Sequence, residues 1–361
     1  MSFDRVPTPA LLLDLDVLER NLSRMADRCA RMGVALRPHI KTHKCLEIAQ
    51  RQHLLGARGI TVSTLHEARV FAELFDDITW AFPVQLTRLD EVRELAERIT
   101  LRLVVDTKEA VQALESLELP LHVWIKVDCG YHRAGVDPDS PEALELARSL
   151  AGSSRLSFDG ILTHAGHTYN ARGREAVADI AEDERRVMTG FADRLRGEGI
   201  EVPEVSVGST PGMWTVRDLD GVTEARPGNY AFNDFEQVTI GACETRDCAV
   251  TVLASVVSSQ PGRDWCITDA GALALSKDPG FGTSMGEVFE DYEAGALSGE
   301  ARLTTLSQEH GFLSVPRPMG SRVRVLPNHS CLTAACFDEY LVVRGIRGGE
   351  IVDRWKIWRG R

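Results

Sequence analysis

The stretch RPHIKTHK, residues 37–44, gathers two lysines and two histidines in a chain whose formal net charge is -12. Read as a strand, it alternates, so His39, Lys41 and His43 share one side while Ile40 and Thr42 share the other. A lysine on the inner face of a barrel is desolvated, which favours the neutral amine and makes it a carbonyl-reactive nucleophile. Parity selects Lys41 for that task and leaves Lys44 on the other face or in the turn towards the next helix. The plain alternative is a solvated strand rim or an anion-binding patch.

Two further loops have a matching chemistry. VGSTPG offers Gly208, Ser209 and Thr210, and RPGNY offers Gly228, Asn229 and Tyr230. Glycines leave backbone N–H groups open, hydroxyls add donors, and the loops after the seventh and eighth strands are the usual phosphate corner of a barrel. Either loop alone marks an ordinary turn. Together, opposite a strand-one lysine, they point to a phosphorylated aldehyde, pyridoxal 5'-phosphate (PLP). A third motif, PNHSC, sets His329 and Cys331 two apart, which on an extended segment directs both to one side. Imidazole with thiolate suits Zn²⁺, and two protein ligands leave positions for water or substrate.

The elements that position these residues follow from periodicity. LERNLSRMADRCARM carries Leu18, Leu22, Met25, Cys29 and Met32 at helical spacing. Strand-like runs then alternate with helical ones: VALRPHIK, GITVST, DITWAFPV, ITLRLVVD, LHVWIKVD, FDGILTHAG, EVSVGST and EARPGNYAF. These predict an α/β fold, a (β/α)8 TIM-like barrel over residues 18–243; an open doubly wound sheet competes, but no glycine-rich dinucleotide fingerprint follows the first strand. From about residue 244 the runs become β-rich. Residues 244–361, with the strand-like PALLLDLD inside 1–17, are expected to form a second, mostly β domain that carries the metal ligands.

At 361 residues and 43% hydrophobic, the chain has ample material for a buried core. The acidic balance, with no lysine or arginine run, argues against nucleic acid as a partner. No apolar stretch approaches the roughly 20 residues of a membrane helix, and the N-terminus lacks a basic segment followed by an apolar core. A small-molecule substrate and a cytoplasmic location are expected. The eight cysteines are scattered without a disulfide framework.

TPALLLDLD, RPHIKTHK, HAGHTY, GSTPG, RPGNY, SQEHG and PNHSC occur in order along nearly the whole chain. Together they resemble the D-threonine aldolase and D-serine dehydratase family, the metal-dependent branch of the alanine-racemase-like PLP enzymes. The resemblance implies that Lys41 holds PLP as a Schiff base and that Arg133, in KVDCGYHRAG, approaches the phenolic oxygen of the cofactor; a plain surface arginine is the alternative. It places Tyr169 and Tyr230 in the cofactor pocket, with Gly208, Ser209, Thr210, Gly228 and Asn229 around the phosphate. His164 and His167 are candidate catalytic acids or bases near the substrate, or packed histidines; the sequence does not separate these. His329 and Cys331 correspond to the metal site. Aldolases of the family typically have H-x-D there, which accepts Mn²⁺ or Mg²⁺, and dehydratases have H-x-C.

Cysteine in that position favours a PLP- and zinc-dependent lyase that eliminates water from a D-β-hydroxy amino acid, such as D-serine or D-threo-3-hydroxyaspartate, giving a 2-oxo acid and ammonia. The runner-up is an aldolase acting on D-threonine or 3-hydroxy-D-aspartate and releasing glycine and an aldehyde. A racemase would need a second acid/base, for which Tyr292 and Tyr340 lie in the right region, and a non-catalytic PLP-binding protein would not need the β domain. Arg322 and Arg324 are either contacts for a second substrate carboxylate or solvated strand residues. Relatives of this kind are commonly homodimers.

Overall fold

The strand β1 (Ala10–Asp14) is buried at all five positions and leads directly into the helix Leu15–Arg31. Asp14 Oδ1 accepts from the backbone N–H groups of Asp16 and Val17, each at 3.1 Å, satisfying donors that a helix start leaves open. Leu18, Leu22, Met25 and Cys29 are each no more than 1% exposed, the face that the periodicity picks out. Each fully buried leucine or methionine there contributes about 1.5–3 kcal/mol. The structure, a computed structural model, describes residues 5–282, 284–344 and 350–360.

The eight apolar runs each carry one strand of a parallel sheet: β2 (Ala35–Leu36), β3 (Ile60–Val62), β4 (Asp77–Pro83), β5 (Thr100–Val105), β6 (Leu121–Lys126), β7 (Leu156–Leu162), β8 (Glu204–Val207) and β9 (Glu224–Ala225). The order is β2-β9-β8-β7-β6-β5-β4-β3, and a parallel bridge between His39 and Thr61 joins the two ends. This is the expected TIM-like arrangement. The intervening helices start on side-chain caps: Thr64 accepts from Glu67 N–H, Thr107 from Ala110 N–H and Ser140 from Ala143 N–H.

The first barrel strand is shorter than its apolar run. Pro38 has no N–H to give to the ladder, and after His39 the chain turns into a 3-10 helix, Ile40–Thr42. Strand alternation therefore does not reach Lys41, and its side chain is exposed rather than desolvated.

The barrel unit also buries a chain of charges. Fully buried Arg37 gives Nε to Glu224 at 2.6 Å and Nη1 to Asp77 at 2.7 Å. Arg102 bridges Asp77 (2.8 Å) and Asp159 (2.6 Å), and His122 meets Asp159 at 2.8 Å. Burial opposes the charge on Asp77, but the two arginines hold its carboxyl down to about 2.

The second sheet contains β1 and the strands β10 (Val250–Ser258), β11 (Cys266–Thr268), β12 (Gly286–Asp291), β13 (Ala296–Leu306), β14 (Gly311–Leu313), β15 (Arg322–Leu326), β16 (Glu339–Arg344) and β17 (Glu350–Lys356). Its order is β11-β14-β13-β12-β15-β10-β1-β16-β17, with β11 also paired to β10. β1 runs antiparallel to β10 and parallel to β16, so the N-terminal strand joins the C-terminal β unit as expected.

By contacts the described residues form two compact units: those up to Arg24 with Thr42–Ile48 and Asn229–Arg359, and Met25–Lys41 with Ala49–Gly228 and Gly360. The backbone passes from one to the other at Lys41–Thr42 and again at Gly228–Asn229.

Candidate active site

In the barrel unit the chemistry-bearing side chains surround His164. The residue follows β7, and Tyr131 meets it edge-on at 6.4 Å while Tyr169 lies tilted at 6.5 Å. Desolvation and then the charges of Lys41, Lys126, Arg133 and Arg226 push its pKa well below the ordinary imidazole value, so the ring is neutral. His167 stacks on Tyr131 at 6.1 Å, and its Nδ1 is buried without a hydrogen-bond partner among the described residues. Burial also lowers its pKa. Arg133 is exposed and lies 5.0 Å over the Tyr131 ring. A side chain at Gly166 would collide with Tyr131, which explains the glycine in HAGHTY.

Several members of this cluster escaped the sequence reading. Tyr131 sits inside the KVDCGYHRAG motif. Lys126 stands at the end of β6; burial lowers its pKa to about 7, helped by Arg226. Arg226 donates to the Thr163 carbonyl and the Ser206 hydroxyl. Glu184 is buried, accepts from Ala165 N–H at 2.8 Å, and has a pKa raised by desolvation. Strand-end position flags Lys126 and Arg226. Nothing local flags Glu184, which comes from the helix Arg174–Gly197.

The phosphate-loop expectation needs one correction. Gly208 has φ +105°, a conformation that favours glycine. Thr168 Oγ1 donates to the Ala165 carbonyl, so Ser209 Oγ, 2.9 Å away, donates to Thr168 while accepting from Gly212 N–H. The Ser209 hydroxyl has no proton left for a phosphate, and the Gly208 N–H serves the Glu184 carboxylate. Thr210 is buried behind it.

In the β unit the centre is the segment Asn328–Cys331. His329 is extended and directly precedes the short helix Ser330–Ala334, so Cys331 lies in a helical first turn and not on an extended stretch. The two side chains still meet in a hydrogen bond. Burial opposes both charges, yet mutual attraction, with Asp278 helping, holds the His329 pKa up and the Cys331 pKa down. His329 Nδ1 lies 2.9 Å from Asp278 Oδ2. Cys331 Sγ lies 3.3 Å from Thr42 Oγ1 and 3.8 Å from Asn229 Nδ2. Asp234 Oδ2 accepts from Ser330 N–H (2.9 Å) and Asn229 Nδ2 (2.6 Å). Asn229 thus serves the His329–Cys331 segment, and Tyr230 beside it is fully buried in the same unit. No group of three or more His, Cys, Asp or Glu side chains is placed to hold a metal among the described residues.

The remaining candidates are occupied elsewhere. His43 is buried, accepts Cys45 N–H at 3.1 Å, and its carbonyl takes the Tyr340 hydroxyl at 2.8 Å. Tyr292 donates to the Cys248 carbonyl, and burial raises the pKa of both tyrosines, so neither resembles a racemase base. Arg322 donates to the Val6 carbonyl, and Arg324 donates to Thr251 while lying 3.3 Å over the Tyr292 ring.

Comparison with known proteins agrees with this layout. The N-terminal domain of alanine racemase matches residues 13–234, and a putative serine dehydratase domain matches 249–343. The chain is 40% identical to D-threo-3-hydroxyaspartate dehydratase of Delftia sp., over 92% of this chain and 93% of that protein. It is 33% identical to D-serine dehydratase of Dictyostelium discoideum, over 98% and 97% of the two chains. The chain belongs to the D-serine dehydratase and D-threonine aldolase family.

Members of this family are named as lyases, and D-threonine aldolase of Arthrobacter sp. is also 32% identical, over 98% of this chain and 92% of that protein. The solved D-threo-3-hydroxyaspartate dehydratase in its metal-free form, a cysteine-to-alanine mutant, superposes with a TM-score of 0.93 at 37% identity, covering all of both chains. A histidine-to-alanine mutant of the same enzyme superposes at 0.94, with 38% identity over 100% of this chain and 97% of that one.

The family's fold implies PLP, and the barrel residues fit it. Four cations bear on His164 against one buried carboxylate, Glu184, a balance that suits a phosphate ester with a phenolate. His329 and Cys331 fit a borderline-soft divalent metal. The ligand atoms converge, the thiolate is favoured, and the imidazole is already oriented by a carboxylate.

Proposed function

We propose that this enzyme dehydrates a D-β-hydroxy amino acid, D-serine or D-threo-3-hydroxyaspartate, to a 2-oxo acid and ammonia, using PLP on Lys41 and Zn²⁺ on His329 and Cys331. The observation that carries the reading is the half-buried His329–Cys331 pair, a nitrogen and sulfur donor set that suits zinc. When bound, PLP supplies an electron sink for charge at Cα, and zinc supplies a Lewis acid for the β-hydroxyl, whose departure as hydroxide is otherwise unfavourable.

The chain's own residues have separable tasks in this reading. The Lys41 amine, exposed on its 3-10 turn, would take the Cα proton on one face. His164 and His167, both with lowered pKa values, act as uncharged hydrogen-bonding groups beside the substrate. Arg133, Lys126 and Arg226 balance anionic charge, and the turn at Gly208 lies at the phosphate end of the cofactor. Tyr169 flanks the cofactor. Elimination removes the Cα proton and the Cβ hydroxyl; the resulting enamine hydrolyses in water to the 2-oxo acid and ammonia.

The aldolase reading rests on the D-threonine aldolase relative, whose identity to this chain is close to that of the D-serine dehydratase. Product analysis separates the two. With the PLP- and zinc-loaded enzyme given D-serine and D-threonine separately, pyruvate or 2-oxobutyrate with ammonia supports dehydration, whereas glycine with an aldehyde would establish the aldolase. A cytoplasmic homodimer completes the proposal, supported by eight unpaired cysteines for the reducing compartment and by the family resemblance for the dimer.

A further inference from the structure

A neutral imidazole can bind a metal through one ring nitrogen only, and which one is set by the hydrogen bond made at the other. His329 Nδ1 faces Asp278 Oδ2 at 2.9 Å, across 51 residues of sequence. That carboxylate is itself fixed: Asp278 Oδ1 accepts from Gly280 N–H at 3.0 Å, and its main-chain carbonyl accepts from Asn328 Nδ2 at 3.1 Å. The same Asn328 amide donates to the Ser284 carbonyl at 2.7 Å, so the residue preceding His329 is tied to the Asp278 loop as well. On the other flank Asp234 grips the amide and hydroxyl of Ser330 at 2.9 and 3.2 Å and caps the helix Phe235–Thr239 through Gln237 N–H. Backbone and ring are thus held by different carboxylates: Asp234 fixes the segment, and Asp278 is the carboxylate that holds the imidazole at Nδ1, with the Cys331 sulfur as the ring's other partner.

We infer that Asp278 is a positioning residue for the metal, holding the Nδ1–H tautomer of His329 so that Nε2 is the ligand atom beside the Cys331 sulfur. The inference rests on the metal reading of His329 and Cys331. It assigns Asp278 no contact with substrate or cofactor. Removing its side chain frees the ring to rotate and to adopt either tautomer, and second-shell losses of this kind typically lower metal affinity by about 10–100-fold. An asparagine keeps an acceptor oxygen for Nδ1–H without the charge.

The test is zinc affinity of the PLP-loaded enzyme, measured by competition with a chromophoric chelator, for wild type, Asp278→Ala and Asp278→Asn, with melting temperature and cofactor absorbance recorded for each. The expected result is a 10–100-fold weaker zinc affinity in Asp278→Ala, a smaller loss in Asp278→Asn, and unchanged melting temperature and cofactor spectrum in both. Zinc binding by Asp278→Ala within twofold of wild type would overturn the inference while leaving the metal site standing. Parallel losses of affinity and melting temperature in both variants would give Asp278 a purely structural role and overturn it too. Failure of the wild type to take up zinc would remove the metal reading, and this inference with it.

Discussion

Thr42 Oγ1 lies 3.3 Å from the sulfur of Cys331, and Thr42 is the residue after Lys41. One peptide bond therefore links the proposed cofactor lysine to a residue that touches the proposed metal thiolate. The two chemistries remain separable by mutation. Lys41→Ala should abolish the visible absorbance of lysine-bound PLP and all turnover, whereas Cys331→Ala should keep that absorbance and lose both zinc and turnover. Full activity in either variant would refute the corresponding role; absorbance spectra, metal content and 2-oxo acid release are the readouts.

The donor set also sets metal preference. Stripping the enzyme with a chelator should stop turnover with the cofactor still bound, and Zn²⁺ should restore it better than Mg²⁺, because thiolate prefers the softer ion. Cys331→Asp should reverse that order in favour of Mn²⁺ or Mg²⁺. Reactivation series for the two proteins make the comparison directly, and an unchanged order would count against Cys331 as a ligand.

Lys126 predicts a pH dependence of stability. Burial lowers its pKa from 10.5 to about 7 in the folded chain. Between those values the unfolded chain holds a proton that the native one lacks, so native stability rises with pH across this window, by at most about 1.4 kcal/mol per pH unit. Below pH 7 the full cost of burying the amine is present. Urea unfolding of cofactor-free protein from pH 7 to 10 should show a shallower slope in Lys126→Met than in wild type; identical slopes would mean that Lys126 keeps an ordinary pKa.

Arg37 is a purely structural counterpart. It is fully buried between Glu224, also fully buried, and Asp77. Arg37→Met would leave buried Glu224 without its ion-pair partner and Asp77 with Arg102 alone, at a cost of about 3–5 kcal/mol. A fall in the urea midpoint with an unchanged slope checks this, and a change below about 1 kcal/mol would show that the carboxylates find other partners.

Much of this protein is legible in its amino-acid sequence. Alternating apolar runs locate all eight barrel strands, because a parallel strand buried on both faces must be apolar. β-rich texture separates the second unit, and the pairing of Ala10–Asp14 with it follows from a run that needs an apolar partner. The candidate site was legible wherever a residue sits in a short motif at a strand end, as Lys41, His164, Gly208 and the His329–Cys331 pair do.

What the sequence could not decide lies in backbone geometry and in long-range pairing. Alternation fails at Lys41 and Cys331 because Pro38 ends one ladder and a helix begins at Ser330, so their directions come from turns that a period-two rule does not describe. The Ser209 hydroxyl reads as a phosphate donor by its type and position, but in the fold Thr168 Oγ1 accepts its proton. Glu184, Asp234 and Asp278 left no local trace, since a buried carboxylate looks like a surface one until the fold brings its donors to it. The sequence by itself determined which groups are present and which elements carry them. Only the tertiary structure decided which of those groups face one another, because a hydrogen bond depends on distance and direction in space and neither is encoded in local spacing.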